Sequence, residues 1–65
     1  MPYPTQLHSH QQDFIGVIKK EFGEIVEAYM VCVLAGIIPD LRQLDAAQQE
    51  RIRHLAKNRG IVLPR

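Results

Sequence analysis

The sequence has little of what usually stabilises a small domain: it contains one cysteine, no tryptophan and no long apolar run. Cys32 alone cannot form an internal disulfide, and no Cys/His cluster has the spacing of a structural zinc site. The apolar run of about eleven residues is shorter than the roughly 20 needed to cross a bilayer. No basic segment followed by an apolar one marks a signal peptide. We therefore expect a soluble, cytoplasmic protein without membrane contact.

The residue combinations that enzymes use are also missing. No glycine-rich phosphate loop and no nucleophile–base pair can be assembled. Three carboxylates, Glu21, Glu24 and Glu27, have no partner for acid–base catalysis. His8 and His10 could both reach one metal ion, but they have no third ligand within reach. We expect no enzymatic activity, no cofactor and no bound metal.

Acidic side chains are absent from the last part of the chain. Residues 1–50 contain all seven Asp and Glu but only three of the eight Lys and Arg, whereas residues 51–65 contain five bases and no acid. This asymmetry fits a basic segment that binds nucleic acid, or two helices that attract each other.

Charge is missing again in the middle of the chain, where residues 24–38 read EIVEAYMVCVLAGII. After Glu27 no charged side chain occurs until Asp40. A helix that is apolar all round must be buried all round. A chain of 65 residues has little material for that task, so oligomerisation is the expected remedy.

Residues 1–8, with Pro2 and Pro4, are expected to form a flexible arm, and residues 9–65 a single helical domain. Ser9 and Gln12 fit a capping box, and apolar residues then recur at helical spacing. Gly36 fits the end of this helix. The pattern predicts a long helix over residues 10–35, about 39 Å at 1.5 Å per residue.

A second helix is predicted over residues 41–59, with Asp40 as its cap and Asp45 as a later possible start. Gly60 fits its end, where Ile61 would fold back onto Ala56. The short connection favours an antiparallel helical hairpin. We expect an all-α fold in which two hairpins form a homodimeric four-helix bundle.

We expect part of the long helix to remain uncovered by the second helix and to form the contact of that dimer. Gly16 and Gly23, seven residues apart, would let another helix approach closely, and a tolerated pair of surface glycines is the alternative. The predicted residues of the dimer and core interface are Phe22, Ile25, Tyr29, Met30, Val33 and Leu34.

Residues 51–61 resemble the first helix and turn of a helix-turn-helix, in which an alanine is followed four residues later by a glycine. The resemblance covers about a sixth of the chain, and the recognition helix that reads DNA would have to come next. Only four residues follow Ile61. A dimer would nevertheless present basic side chains twice to phosphates. The candidate nucleic-acid contacts are Arg51, Arg53, Lys57 and Arg59.

A protein without a catalytic site acts by binding to the surface of another molecule. We therefore expect binding to another protein, as inhibitor, adaptor or regulator, with nucleic-acid binding as the second choice. Apolar anchors and tyrosines make such contacts. The candidate partner contacts are Tyr3, Leu7, Ile61, Val62 and Leu63.

Overall fold

The computed structural model describes residues 7–63, and within them it contains three α-helices and no β-strand. Helix α1 spans Ser9–Phe22, α2 spans Glu24–Leu34 and α3 spans Ala46–Asn58. The predicted all-α class is confirmed for this part of the chain. The boundary of the predicted arm falls next to the start of α1, while residues 1–6 lie outside the described residues.

The predicted single helix over residues 10–35 is wrong, because Gly23 divides it into α1 and α2. Gly23 has φ 96° and ψ 179°, a region of the backbone map that is essentially restricted to glycine. Its N–H donates to the Lys19 carbonyl at 2.9 Å, and its own carbonyl accepts from the Glu27 N–H at 3.1 Å. One residue therefore closes the first helix and opens the second. The apolar periodicity continues across the break, so the sequence pattern did not reveal it.

The break makes the molecule shorter than a continuous helix would. A straight helix over residues 10–35 would be about 39 Å long, whereas the longest dimension of the fold is 31 Å. Helix α1 packs against both α2 and α3. One face of the apolar helix α2 is thus packed against the rest of its own chain.

Helix α3 begins at Ala46, five residues later than the predicted start at residue 41. Asp45 is the cap, since its Oδ1 accepts from the Gln48 N–H at 2.8 Å. The carboxylate of Asp40 instead accepts from the Arg42 N–H at 3.0 Å, which holds a local turn. Leu41, at the start of that turn, is 1% exposed. Of the two possible starts, the later one is used because Asp40 and Leu41 are engaged in the connection.

Two contacts fix the direction of α3 relative to α1. Arg51, in the first half of α3, pairs with Glu21 at the end of α1. The ring Nε2 of His10, at the start of α1, is hydrogen-bonded to the carbonyl oxygen of Arg59, just after α3. The two helices therefore run antiparallel, which agrees with the predicted hairpin. Ile61 folds back as expected, with its N–H donating to the Ala56 carbonyl at 2.9 Å.

The core draws side chains from all three helices and from the connection between α2 and α3. Six large side chains are less than 2% exposed: Phe14, Ile15, Ile18, Met30, Leu41 and Ile52. Val31 and Val33 of α2 are 3% and 4% exposed. Full burial of such a side chain contributes about 1.5–3 kcal/mol. The expectation that a single chain cannot bury this stretch is therefore wrong for one face of α2, because the break at Gly23 packs that face onto α1.

Candidate interaction surface

One face of α2 remains uncovered, and we call Ile25, Ala28 and Cys32 the outer face of α2. Ile25 is 88% exposed, which is more than the other large apolar residue left open near α2, Ile37, at 60%. Ala28 is exposed and Cys32 is half-buried. These positions are separated by three and four residues, so they lie in one row along the helix. The row presents one large side chain followed by two small ones.

Helix α2 itself carries charge of one sign only. No Lys or Arg occurs between Lys20 and Arg42, so α2 itself has no basic residue. Its two acids, Glu24 and Glu27, lie in its first turn, where they complement the partial positive charge of the helix N-terminus. Glu24 is exposed and lies beside Ala28 on the helix surface, whereas Glu27 is half-buried. The C-terminal two thirds of the face are uncharged.

Tyr29 forms the boundary between the outer face and the core. Its ring is half-buried against the core cluster, and its hydroxyl donates to the Asp40 carbonyl at 2.6 Å. The Asp40 carboxylate is in turn 3.0 Å from the Arg42 guanidinium. This chain of bonds fixes the connection after α2 to the edge of the outer face.

The predicted dimer and core residues divide into three groups in the structure. Met30 and Val33 are buried within the single chain. Ile25 alone lies largely in solvent. The remaining three, Phe22, Tyr29 and Leu34, are half-buried and pack against the core. A surface contact with another molecule can therefore use Ile25 fully and the half-buried three only at their edges.

The two glycines expected to admit another helix do not share that role. Gly23 lies at the break between α1 and α2 and has no helical conformation. A Cβ added at Gly16 would meet nothing within 4 Å. Within the described part of the single chain no side chain or other helix lies against Gly16, and approach of a second copy along the two glycines stays a prediction. The sequence cannot distinguish a glycine that breaks a helix from one that lies on its surface.

The predicted partner contacts at the two ends of the chain are unequally accessible. Tyr3 lies outside the described residues. Leu7 is only 6% exposed and belongs to the core, so its role there is structural. Ile61 and Leu63 are half-buried against the core, and Val62 points outward with 89% exposure.

The predicted nucleic-acid contacts are in part occupied by contacts within the chain. The guanidinium of Arg51 donates two hydrogen bonds to the Glu21 carboxylate, at 2.8 and 3.1 Å. These hydrogen bonds lower the pKa of Glu21 and raise the pKa of Arg51. Arg53 reaches the Gln49 side chain at 3.4 Å. Lys57 is exposed and Arg59 is half-buried, so the four basic groups are unequally accessible.

Two features of the surface differ from what the sequence suggests. Cys32 is half-buried rather than packed in the core, because the row that contains it faces away from α1. Ile37 is exposed although it belongs to the longest apolar stretch. Its position directly after Gly36, where α2 has ended, was the available sign that it leaves the helix.

Within residues 7–63, no group of three or more His, Cys, Asp and Glu side chains is placed to hold a metal ion. None of the helices in this range has the length and apolar character required to cross a membrane. Comparisons with protein-family models, with curated proteins and with solved structures gave no match.

Proposed function

We propose that this chain is a non-enzymatic helical protein that acts by binding proteins, as an inhibitor, adaptor or regulator of a larger partner. The observation that carries the proposal is the outer face of α2, where Ile25 is 88% exposed on an uncharged row. A helix can place an exposed apolar side chain of this kind in a groove of a partner protein. A cytoplasmic location remains part of this proposal.

Self-association is the second part of the proposal. The outer face can bind a second copy of the chain, and Tyr29 lies half-buried at its edge. Because each chain contains three helices in its described part, such a homodimer would have six helices rather than four. Helices α1 and α2 of each copy together replace the long helix of the expected four-helix bundle.

Two experiments test these parts separately. Sedimentation equilibrium from about 10 µM to 1 mM measures self-association, and a monomer throughout this range contradicts the homodimer. Affinity capture from the native cell, with and without nuclease, tests binding to other proteins. We expect nuclease-resistant capture that Ile25→Gln weakens and Val62→Gln does not, since Val62 is equally exposed at 89%. Capture of nucleic acid alone contradicts the proposal.

Nucleic-acid binding is the alternative function, and the exposed Lys57 beside a C-terminal segment without acids favours it. In that case affinity falls steeply between about 50 and 200 mM salt, because bound phosphates release counterions. The double substitution Arg53→Ala/Lys57→Ala then abolishes binding. Absence of retention on heparin at low salt excludes this alternative. Arg51 is the least suitable contact, because it already pairs with Glu21.

A further inference from the structure

Gly23, between α1 and α2, interrupts a helical pattern that is otherwise continuous. On either side of it the apolar residues keep the spacing of three and four that one long helix requires. These residues are Ile15, Ile18, Phe22, Val26, Tyr29 and Val33. Each of them is buried or half-buried in the single chain. The same apolar row therefore suits both the broken helix and one in which α1 and α2 are joined.

Few bonds at Gly23 have to change for the two helices to join. Its N–H already donates to the carbonyl four residues earlier, and its carbonyl already accepts from the N–H four residues later, as in a helix. The departure from a helix lies in its dihedral angles, φ 96° and ψ 179°, which in a helix would be about −63° and −42°. Hinges absorb large changes of φ and ψ in a few residues. Helical angles at Gly23 would move α1 away from α2.

The movement of α1 would uncover the core. Phe14, Ile15 and Ile18 of α1 are 0% exposed in the single chain, as are Met30 of α2 and Ile52 of α3. Among the described residues, α1 is the helix against which both α2 and α3 pack. The single chain thus shows which surface fits α1, namely the one that α2 and α3 of this sequence form. A second copy in the same state presents that surface uncovered.

We infer that Gly23 is a hinge at which two copies of the chain exchange α1. In the exchanged dimer each chain has one helix over residues 9–34, and its α1 packs against α2 and α3 of the other copy. The described parts of the two chains then form four helices, two long ones and two copies of α3. Exchange of an identical element is a low-cost route to a dimer, because it reuses contacts of the single chain. The outer face of α2 takes no part in the exchanged contact, so this inference does not rest on the proposed homodimer.

The substitution Gly23→Ala tests the hinge. The single chain needs a backbone region at this position that is essentially restricted to glycine, whereas alanine favours a helix more than glycine does. A Cβ there meets nothing within 4 Å, so the effect comes from the backbone alone. We expect alanine to favour the joined form at least about tenfold in each chain. The association constant of the dimer should therefore rise at least about a hundredfold, because both chains contribute.

The matched control is Gly16→Ala, since Gly16 lies within α1, which is helical in both forms. After refolding at about 1 mM, we expect gel filtration to show mainly dimer for Gly23→Ala and a smaller share for Gly16→Ala and the native chain. Circular dichroism should show added helix in the Gly23→Ala dimer. On dilution to about 1 µM the dimer should revert slowly, because α1 has to leave the core first, whereas a dimer formed through the outer face of α2 re-equilibrates quickly.

Two results of this experiment overturn the inference. One is a Gly23→Ala chain that is monomeric at 1 mM. The other is a native chain that forms no slowly reverting dimer at that concentration. A native dimer that reverts quickly supports the proposed homodimer and still overturns the exchange, so the two proposals fail separately.

A pair of charge reversals shows directly whether α1 is exchanged. In the single chain the Glu21 carboxylate lies 2.8 Å from the Arg51 guanidinium, and exchange converts this contact into two ion pairs between the copies. Glu21→Arg and Arg51→Glu, each added to Gly23→Ala, bring like charges together in a monomer and in a dimer of one variant. A mixed dimer restores both ion pairs only when the α1 of each copy packs against the α3 of the other.

The readout is the share of mixed dimer after equal amounts of the two variants are refolded together, measured by native mass spectrometry. We expect the mixed dimer in roughly threefold excess over random pairing at low salt. The excess should disappear at high salt, because ions screen exposed pairs. Random pairing at low salt shows that α1 stays with its own chain and overturns the inference.

Discussion

Helix α2 has two apolar faces that differ in solvent exposure: Met30 lies on the buried face and Ile25 on the exposed one. The two residues are five positions apart on one helix and similar in size, yet Met30 is 0% exposed and Ile25 is 88% exposed. Hydrophobicity therefore does not decide which of them is buried. Which face is buried depends instead on the direction of α2 after Gly23, because that direction determines which face packs against α1.

The largest expected effect distinguishes these two faces directly. Met30→Ala removes a fully buried side chain and leaves a cavity, so we expect a loss of about 2–5 kcal/mol in the free energy of unfolding. Ile25→Ala changes a solvent-exposed position and should stay within about 0.5 kcal/mol. Urea denaturation of both variants measures the difference. Equal losses would show that the two faces are not distinct in solution.

The next largest effect is expected at Gly23, which separates α1 from α2 and sets the direction of α2. In Gly23→Ala a Cβ is forced into a backbone region that costs a non-glycine residue about 1–3 kcal/mol. We expect a loss of that size in the free energy of unfolding, measured by denaturation. Gly16→Ala is the control, since a Cβ there meets nothing within 4 Å and alanine favours the helix by up to about 1 kcal/mol. A stabilised Gly23→Ala variant would mean that α1 and α2 join into one helix, which circular dichroism would detect as added helix.

A smaller effect is expected at the border between the faces. Tyr29→Phe keeps the half-buried ring but removes the hydroxyl that donates to the Asp40 carbonyl at 2.6 Å. A hydrogen bond of this kind contributes about 0.5–1.5 kcal/mol. Faster amide hydrogen exchange in residues 40–45 should accompany this loss, because the connection is then held less firmly to α2. Unchanged exchange there would show that the hydroxyl does not fix the connection.

The smallest effect depends on pH and concerns the attachment of α3 to α1. Hydrogen bonds from Arg51 lower the pKa of Glu21 in the folded chain. The ion pair therefore contributes stability above the usual glutamate pKa of about 4.3, and this contribution is lost as the pH falls through the lowered value in the fold. The melting temperatures of the native chain and of Glu21→Gln should differ slightly at pH 7 and converge below pH 4. Exposed pairs of this type contribute little, and added salt should reduce the difference. A difference that grows in acid would contradict the role of the pair.

The sequence was sufficient to predict the helical class, the C-terminal ends of α2 and α3, and the antiparallel relation of the basic helix to the first one. Helical periodicity and capping residues are local signals, and they were read correctly at Gly36 and Gly60. The capping box predicted from Ser9 and Gln12 is wrong, because His8 is the cap of α1 and Gln11 is its partner. The sequence also offered both Asp40 and Asp45 as starts of the last helix. The choice between them depended on the burial of Leu41, which is a tertiary effect.

The division of the long apolar stretch could not be predicted in the same way. Apolar spacing continues across Gly23, so the pattern favours one helix, while the break depends on the core that becomes available once α2 folds back. For the same reason the fate of Met30 was predicted only as part of an interface. The exposed Ile25 was among the predicted interface residues, but nothing local marked it as the residue left in solvent.

The contact between His10 and the carbonyl of Arg59 has a mechanical consequence. It brings the two ends of the described fold together, with α1 and α3 running away from them side by side. A force that separates the ends therefore pulls across the α1–α3 contact rather than along it. We expect the contacts to break one after another from the pulled ends, first at His10 and later at Glu21 and Arg51. We therefore expect the chain to yield at low force when it is pulled from its ends, and to resist sliding of one helix along the other more strongly.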